Sequence, residues 1–155
     1  MSKKSSASKI KVSSFNDLFG MNDSIDNSGE IKNIPLEGAE SVVCWGDGSP
    51  LREFLYVDDL ANLCVFLMNN YSGNETVNAG TGKELTIKAL TELVAKVVGF
   101  RGRIEWDTSR PNGTPRKLLD VSKATALGWS YRTELEDGIR LAYEDFLNNP
   151  MRAER

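Results

Sequence analysis

The sequence predicts an α/β layered domain over residues 41–149, preceded by a polar arm over residues 1–40 and followed by a short tail over residues 150–155. Three observations carry this reading. Short β-branched and aromatic runs alternate with longer stretches of helical periodicity, glycine-rich turns separate them, and the texture of the chain changes near Ser41. The 155 residues amount to one domain by length, with or without an arm. A chain of this size buries about 68–70% of its unfolded surface, enough for a core without covalent staples.

In the arm, Ser, Lys, Asn, Asp and Gly dominate, and apolar residues come in islands: Phe15, Leu18-Phe19, Ile31 and Ile34-Pro35-Leu36. No period of 2 or 3.6 is sustained, so a flexible segment is expected, with at most one helical turn from Asn16 to Phe19. From Ser41 the elements follow in order. Ser41–Trp45 reads as a buried strand closed by the turn Gly46-Asp47-Gly48-Ser49-Pro50, and Phe54–Val57 as a second strand. Asp58-Asp59 offers an N-cap to a helix whose Leu60, Leu63, Cys64, Leu67 and Met68 recur at helical spacing. Glu75–Asn78 reads as a third strand, ending in the turn Ala79-Gly80-Thr81-Gly82.

Thr86 caps a long amphipathic helix carrying Ile87, Leu90, Leu93, Val94 and Val97, and Gly99 stops it. Arg103–Asp107 alternates like a short strand. Asp120 caps a brief helix ending at Leu127-Gly128, and Thr133-Glu134-Leu135-Glu136 reads as a capping box for a last helix reaching about Asn148.

Composition narrows the function classes. With 40% hydrophobic and 26% charged residues the chain has an ordinary globular balance, and a net charge of −3 argues against a dedicated nucleic-acid binder. The densest apolar run, Leu60 to Met68, is far shorter than the roughly 20 residues of a membrane span. The basic N-terminus has no apolar stretch behind it, so no secretory leader is read there. Cys44 and Cys64 are then expected as reduced, small buried residues, and the expected location is cytoplasmic. The absence of histidine removes Ser-His and Cys-His nucleophile pairs and histidine metal sites.

Neither glycine-rich turn makes a cofactor loop. Gly46-x-Gly48 is followed by Leu51 where the dinucleotide fingerprint wants glycine, and it leads into a strand. Gly80-Thr81-Gly82-Lys83 lacks the first glycine of a phosphate loop, with Val77 there, and is followed by Glu84 in place of Ser or Thr. No tyrosine has lysine four residues on: Tyr56, Tyr71, Tyr131 and Tyr143 have Leu60, Glu75, Leu135 and Leu147.

Two constellations remain. Trp45-Gly46-Asp47-Gly48-Ser49-Pro50-Leu51-Arg52 sets an indole and a guanidinium across a tight turn, a pair that suits a nucleotide's ring and phosphates as well as it suits a core tryptophan beside a surface arginine. Ser109-Arg110-Pro111-Asn112-Gly113-Thr114-Pro115-Arg116-Lys117-Leu118-Leu119-Asp120 is a proline-stiffened loop with three cations, fit either to grip a diphosphate or to lie in solvent.

Together the blocks VVCWGDGSPLREFLYVDDLA (from Val42), VNAGTGKELTIKALTELVAKVVGF (from Val77) and IEWDTSRPNGTPRKLLDVSKATALGW (from Ile104) closely resemble the GDP-L-fucose synthase family of extended short-chain dehydrogenase/reductases. The resemblance spans about 110 residues and implies the substrate-binding C-terminal portion of such an enzyme, with the NADP-binding Rossmann half missing. It implies a GDP-sugar as partner, with Trp45, Arg52, Asn112 and Lys117 as substrate-contacting residues. Asn112 stands where aspartate is more usual, so a hydrogen bond survives the change and a negative charge does not. The family's catalytic serine, Tyr-x-x-x-Lys pair and epimerising cysteine and histidine fall in parts this chain does not contain. The expectation is therefore no catalytic residue, no cofactor bound by this chain alone, and a need for a Rossmann-bearing partner or a homo-oligomer. The alternative is a non-enzymatic remnant or fusion acting as an interaction module, its uncovered surface prone to self-association. In the arm, SFNDLFG and IKNIPLEGAE resemble the leader of ParB-type partition proteins, which implies a separate origin for that segment.

Overall fold

The computed structural model describes residues 9–12 and 40–149. The expectations for the rest of the arm, including the turn at Asn16 to Phe19, and for the tail lie outside the described residues. Within the arm, Lys9–Val12 forms strand β1, an element its composition does not announce. It pairs in parallel with β2 (Ser41–Trp45), which pairs in parallel with β5 (Arg103–Asp107). A second sheet has β3 (Leu51–Glu53) at its centre, antiparallel to β4 (Glu84–Thr86) and parallel to β6 (Arg116–Lys117). Helices α1 (Val57–Asn70), α2 (Ile87–Val98), α3 (Ser122–Ala126) and α4 (Leu135–Asn148) complete an α/β fold.

Three hydrophobic clusters hold these elements. Val42 and Cys44 pack with Phe100, Ile104 and Trp106 at the first sheet. Leu90, Val94 and Ile139 join α2 to α4 and gather Phe54, Leu85 and Leu135. Leu63, Ala124 and Trp129 join α1 to α3, and the Trp129 indole N–H donates to Asn62 Oδ1 at 3.0 Å, so burying the ring costs no unpaired donor.

Local signals hold best where capping chemistry stands alone. Thr86 Oγ1 accepts from the Ala89 amide at 3.1 Å, and Gly99 closes α2 in the left-handed region at φ 75°. Elsewhere tertiary partners prevail. The expected second strand shifts to Leu51–Glu53, because β4 and β6 align with those residues and Tyr56 is already the N-cap of α1. No ladder forms at Glu75–Asn78. Val77 and Ala79 pack against the α1–α3 cluster instead, while Asn78 Nδ2 donates to the Asp120 carbonyl at 2.9 Å.

Asp59 does not cap its helix. It is buried, and its carboxylate accepts from the Arg132 and Thr133 amides at 3.2 and 2.9 Å, tying α1 to the chain entering α4. The capping box also fails to form. Glu134 is the N-cap, its carboxylate turned to Lys83 and Tyr131 and making no capping bond, and Glu136 is drawn 2.7 Å from Lys96 Nζ on α2. Asp120 Oδ1 accepts from the Ser122 amide at 2.9 Å, just ahead of α3.

The apolar stripe of α1 divides. Leu63, Phe66 and Leu67 face the cluster, whereas Val57, Leu60, Val65 and Met68 are exposed, Met68 at 85%. Cys64 lies on the exposed side, which corrects its expected burial, while Cys44 is buried. Burial pushes the Cys44 thiol up to about 11, an effect its hydrogen bond with Thr91 only partly offsets.

Two outcomes follow from this packing. Thr86→Ala should destabilise the domain by about 0.5–2 kcal/mol in denaturant unfolding, through loss of the α2 cap. At neutral pH a soluble thiol reagent should modify Cys64 rapidly in the folded chain and Cys44 only upon unfolding, readable by mass spectrometry.

Candidate functional site

The two constellations singled out in the sequence run side by side in the same direction. At one end Trp45 is in register with Asp107, and the Gly46 amide donates to the Asp107 carbonyl at 2.9 Å. Next, Asn112 Oδ1 accepts from the Asp47 amide at 2.8 Å across a separation of 65 residues. The Leu51 amide then donates to the Pro115 carbonyl at 2.8 Å, and the register continues through Leu51 with Arg116 and Arg52 with Lys117. A strand pair thus opens into paired loops and closes into a second strand pair.

Glycine makes the close approach possible. A Cβ on Gly46 would overlap the Asn112 carboxamide, and one on Gly48 would lie 2.7 Å from the Trp106 ring and 2.8 Å from Lys88 Cβ. Both residues also have positive φ, 80° and 74°. Asp47 secures the turn from within, accepting from the Ser49 amide at 2.8 Å. The bonds from Ser49, reinforced by the one from the Asn112 side chain, hold the Asp47 carboxyl below its ordinary value.

Arg52 and Lys117 are direct register partners, so both side chains leave the sheet on the same face, with the strands about 4.8 Å apart. The Arg52 guanidinium donates to its neighbour's carbonyl, Leu51 O, at 2.7 Å. Among the described residues neither cation has a carboxylate partner. Arg116, one position earlier, is committed to Glu84 at 2.8 Å. Trp45 is 37% exposed, and the Arg110 guanidinium lies over its ring at 5.0 Å from the centroid.

The structure therefore brings Trp45, Arg52, Asn112 and Lys117 onto two adjacent segments. The Asn112 side-chain oxygen is already engaged by the Asp47 amide and acts as a brace. Arg110 belongs with the group, although its sequence signal was no more than one of three cations in a stiff loop.

The turn at residues 80–82 and the first turn of α2 spend their amides within the chain. The Thr81 and Gly82 amides both donate to a carboxylate of this chain, that of Glu53, at 2.6 Å. The first amides of α2 are also satisfied internally: Ile87 donates to Pro50 O, Lys88 to Gly48 O and Ala89 to Thr86 Oγ1. A pyrophosphate would find no free nest at either place. A cavity of about 370 Å³ lies elsewhere, walled by Phe54, Leu85, Leu90, Leu135 and Ile139, with Lys83 and Glu134 among its polar lining. None of the four residues singled out for substrate lines it.

Known proteins can be set against this geometry. A profile described as the NAD dependent epimerase/dehydratase family matches residues 27–80. The chain is 52% identical over 141 residues to the Putative GDP-L-fucose synthase 2 of Arabidopsis thaliana, an alignment covering 85% of this chain and 43% of that protein. It is 57% identical over 114 residues to GDP-L-fucose synthase 1 of the same plant, covering 74% and 35%. A solved GDP-L-fucose synthetase from Naegleria fowleri bound to NADP superposes with a TM-score of 0.71 at 25% identity, over 86% of this chain and 44% of that one. The chain thus spans less than half the length of the relatives it matches. The match to the NAD dependent epimerase/dehydratase family covers residues 27–80, and the chain is a partial-length homologue of the GDP-L-fucose synthases.

Proposed function

We propose that this chain supplies the GDP-sugar-binding surface for the conversion of GDP-4-keto-6-deoxymannose to GDP-L-fucose, in the cytoplasm, and delivers no hydride on its own. The observation that carries the reading is the register pair Arg52 and Lys117, two cations side by side without a carboxylate partner among the described residues, on the ridge that also presents Trp45. The paired cations suit the diphosphate and the indole suits a ring of the nucleotide-sugar. Asn112 keeps the turn between them in place. NADP would be held outside the residues described, whose glycine turns spend their amides internally.

A second reading, an interaction module without a ligand, is favoured by the outer face of α1, where Val57, Val65 and Met68 are 64%, 57% and 85% exposed. Sedimentation showing concentration-dependent self-association, together with no saturable GDP binding by a folded chain, would select it.

Calorimetric titration with GDP tests the first reading. Saturable binding is expected, and Arg52→Ala and Lys117→Ala should each lose about 1.5–3 kcal/mol, roughly tenfold to a hundredfold or slightly more in Kd. With NADPH and the keto-sugar nucleotide, the purified chain should oxidise no NADPH. Turnover would overturn the proposal that this chain delivers no hydride on its own.

A further inference from the structure

Glu53 follows Arg52 in β3, yet among the described residues it forms no ion pair with the cations around it. Its carboxylate is spent on neutral backbone donors from two distant segments. Oε1 accepts from the Thr81 and Gly82 amides at 2.6 Å each and from the Thr81 hydroxyl at 3.4 Å. Oε2 accepts from the Leu119 amide at 3.0 Å, across 66 residues of sequence. Gly80 leaves the space for this, because a Cβ there would collide with Oε1.

The contact to Leu119 lies at the exit of the basic loop, one residue before the bond from Asn78 Nδ2 to the Asp120 carbonyl. Strand β6 is two residues long, Arg116 and Lys117, and its ladder to β3 is the register pair of those residues with Leu51 and Arg52. The bond from the Leu51 amide to Pro115 O fixes its entry, and the bond from the Leu119 amide to Glu53 fixes its exit. Residues 111–120 are otherwise exposed throughout. Lys117 lies between these two ties.

We infer that Glu53 is a positioning residue for the anion-binding surface: it latches the exit of the basic loop to β3 and so sets where Lys117 stands beside Arg52. The inference rests on the proposed GDP-sugar reading for its ligand and on the geometry alone for the latch. Neutralising the latch by ion pairing would also have consumed one of the two cations; using backbone amides leaves both for the ligand.

Glu53→Gln separates the two halves of the contact. The amide oxygen still accepts from Thr81 and Gly82, while the Nε2 donor meets the Leu119 N–H, donor against donor. In hydrogen exchange by NMR, Leu119 should lose protection in this variant while Thr81 and Gly82 keep theirs. The affinity for GDP should fall about tenfold, and Glu53→Gln combined with Lys117→Ala should bind no more weakly than Lys117→Ala alone, a non-additivity that a purely structural role would not produce. Gly80→Ala, which displaces the carboxylate from the other side, should reproduce the Leu119 exchange and affinity losses and serves if the first variant does not fold. Unchanged Leu119 exchange in Glu53→Gln, or losses that multiply in the double variant, would overturn the inference. A wild-type chain that binds no GDP while Leu119 responds as stated would leave the latch standing and remove the ligand reading. Wild-type binding with no response in the variant would do the reverse.

Discussion

Residues 41–53 and 103–117 advance in the same direction, in contact along most of their length, and the hydrogen bonds between them place everything else at the site. A parallel pairing cannot be made by a hairpin, so the chain between must travel out and back. Here that connection contains α1, β4 and α2; two apolar clusters pack these elements against α3 and α4, while the third packs Val42 and Cys44 with Phe100, Ile104 and Trp106. The core therefore acts on function indirectly. It holds two long-separated stretches in one register, and the register decides which side chains meet.

What the register brings together differs in availability. Three arginine or lysine side chains near the ridge look alike in sequence, yet Arg116 is neutralised by Glu84 while Lys117, one residue later, leaves the sheet on the opposite face without such a partner among the described residues. The period of two along a strand is enough to make this split. The amides of the glycine turns are similarly allotted. Those of Thr81 and Gly82 go to Glu53, and that of Asp47 goes to Asn112, so these turns serve as internal fasteners where an isolated glycine-rich motif suggests a phosphate cradle.

The helix signals legible in the sequence were those that need only local chemistry: the Thr86 cap, the Gly99 stop and the amphipathic pattern of α2 are present as read. Strand β5 was legible because Arg103–Asp107 alternates, and β2 because its run is short and β-branched. Several misread positions have a distant partner. Asp59 is an acid ahead of an apolar stripe, which reads as a cap until the Arg132 and Thr133 amides arrive from 73 and 74 residues away. Glu84–Thr86 is a poor strand by composition and becomes one because β3 lies beside it. Trp45 with Arg52, and the loop holding Asn112 and Lys117, stood out by residue type, and family resemblance made these four the candidates; their adjacency, the bracing role of Asn112 and the inclusion of Arg110 depend on contacts that no local pattern encodes.

The central claim is that one ridge, built from the paired segments, is the anion-binding surface of this chain. Amide and side-chain chemical-shift mapping by NMR during addition of GDP tests it most directly. The account predicts shifts concentrated on the Trp45 indole N–H, the Arg110 and Arg52 guanidinium groups and the amides of residues 112–114 and 116–119, with the lining of the 370 Å³ cavity unmoved. Shifts centred on Lys83, Tyr131 and Glu134 around that cavity, or a spectrum that GDP leaves unchanged, would contradict it.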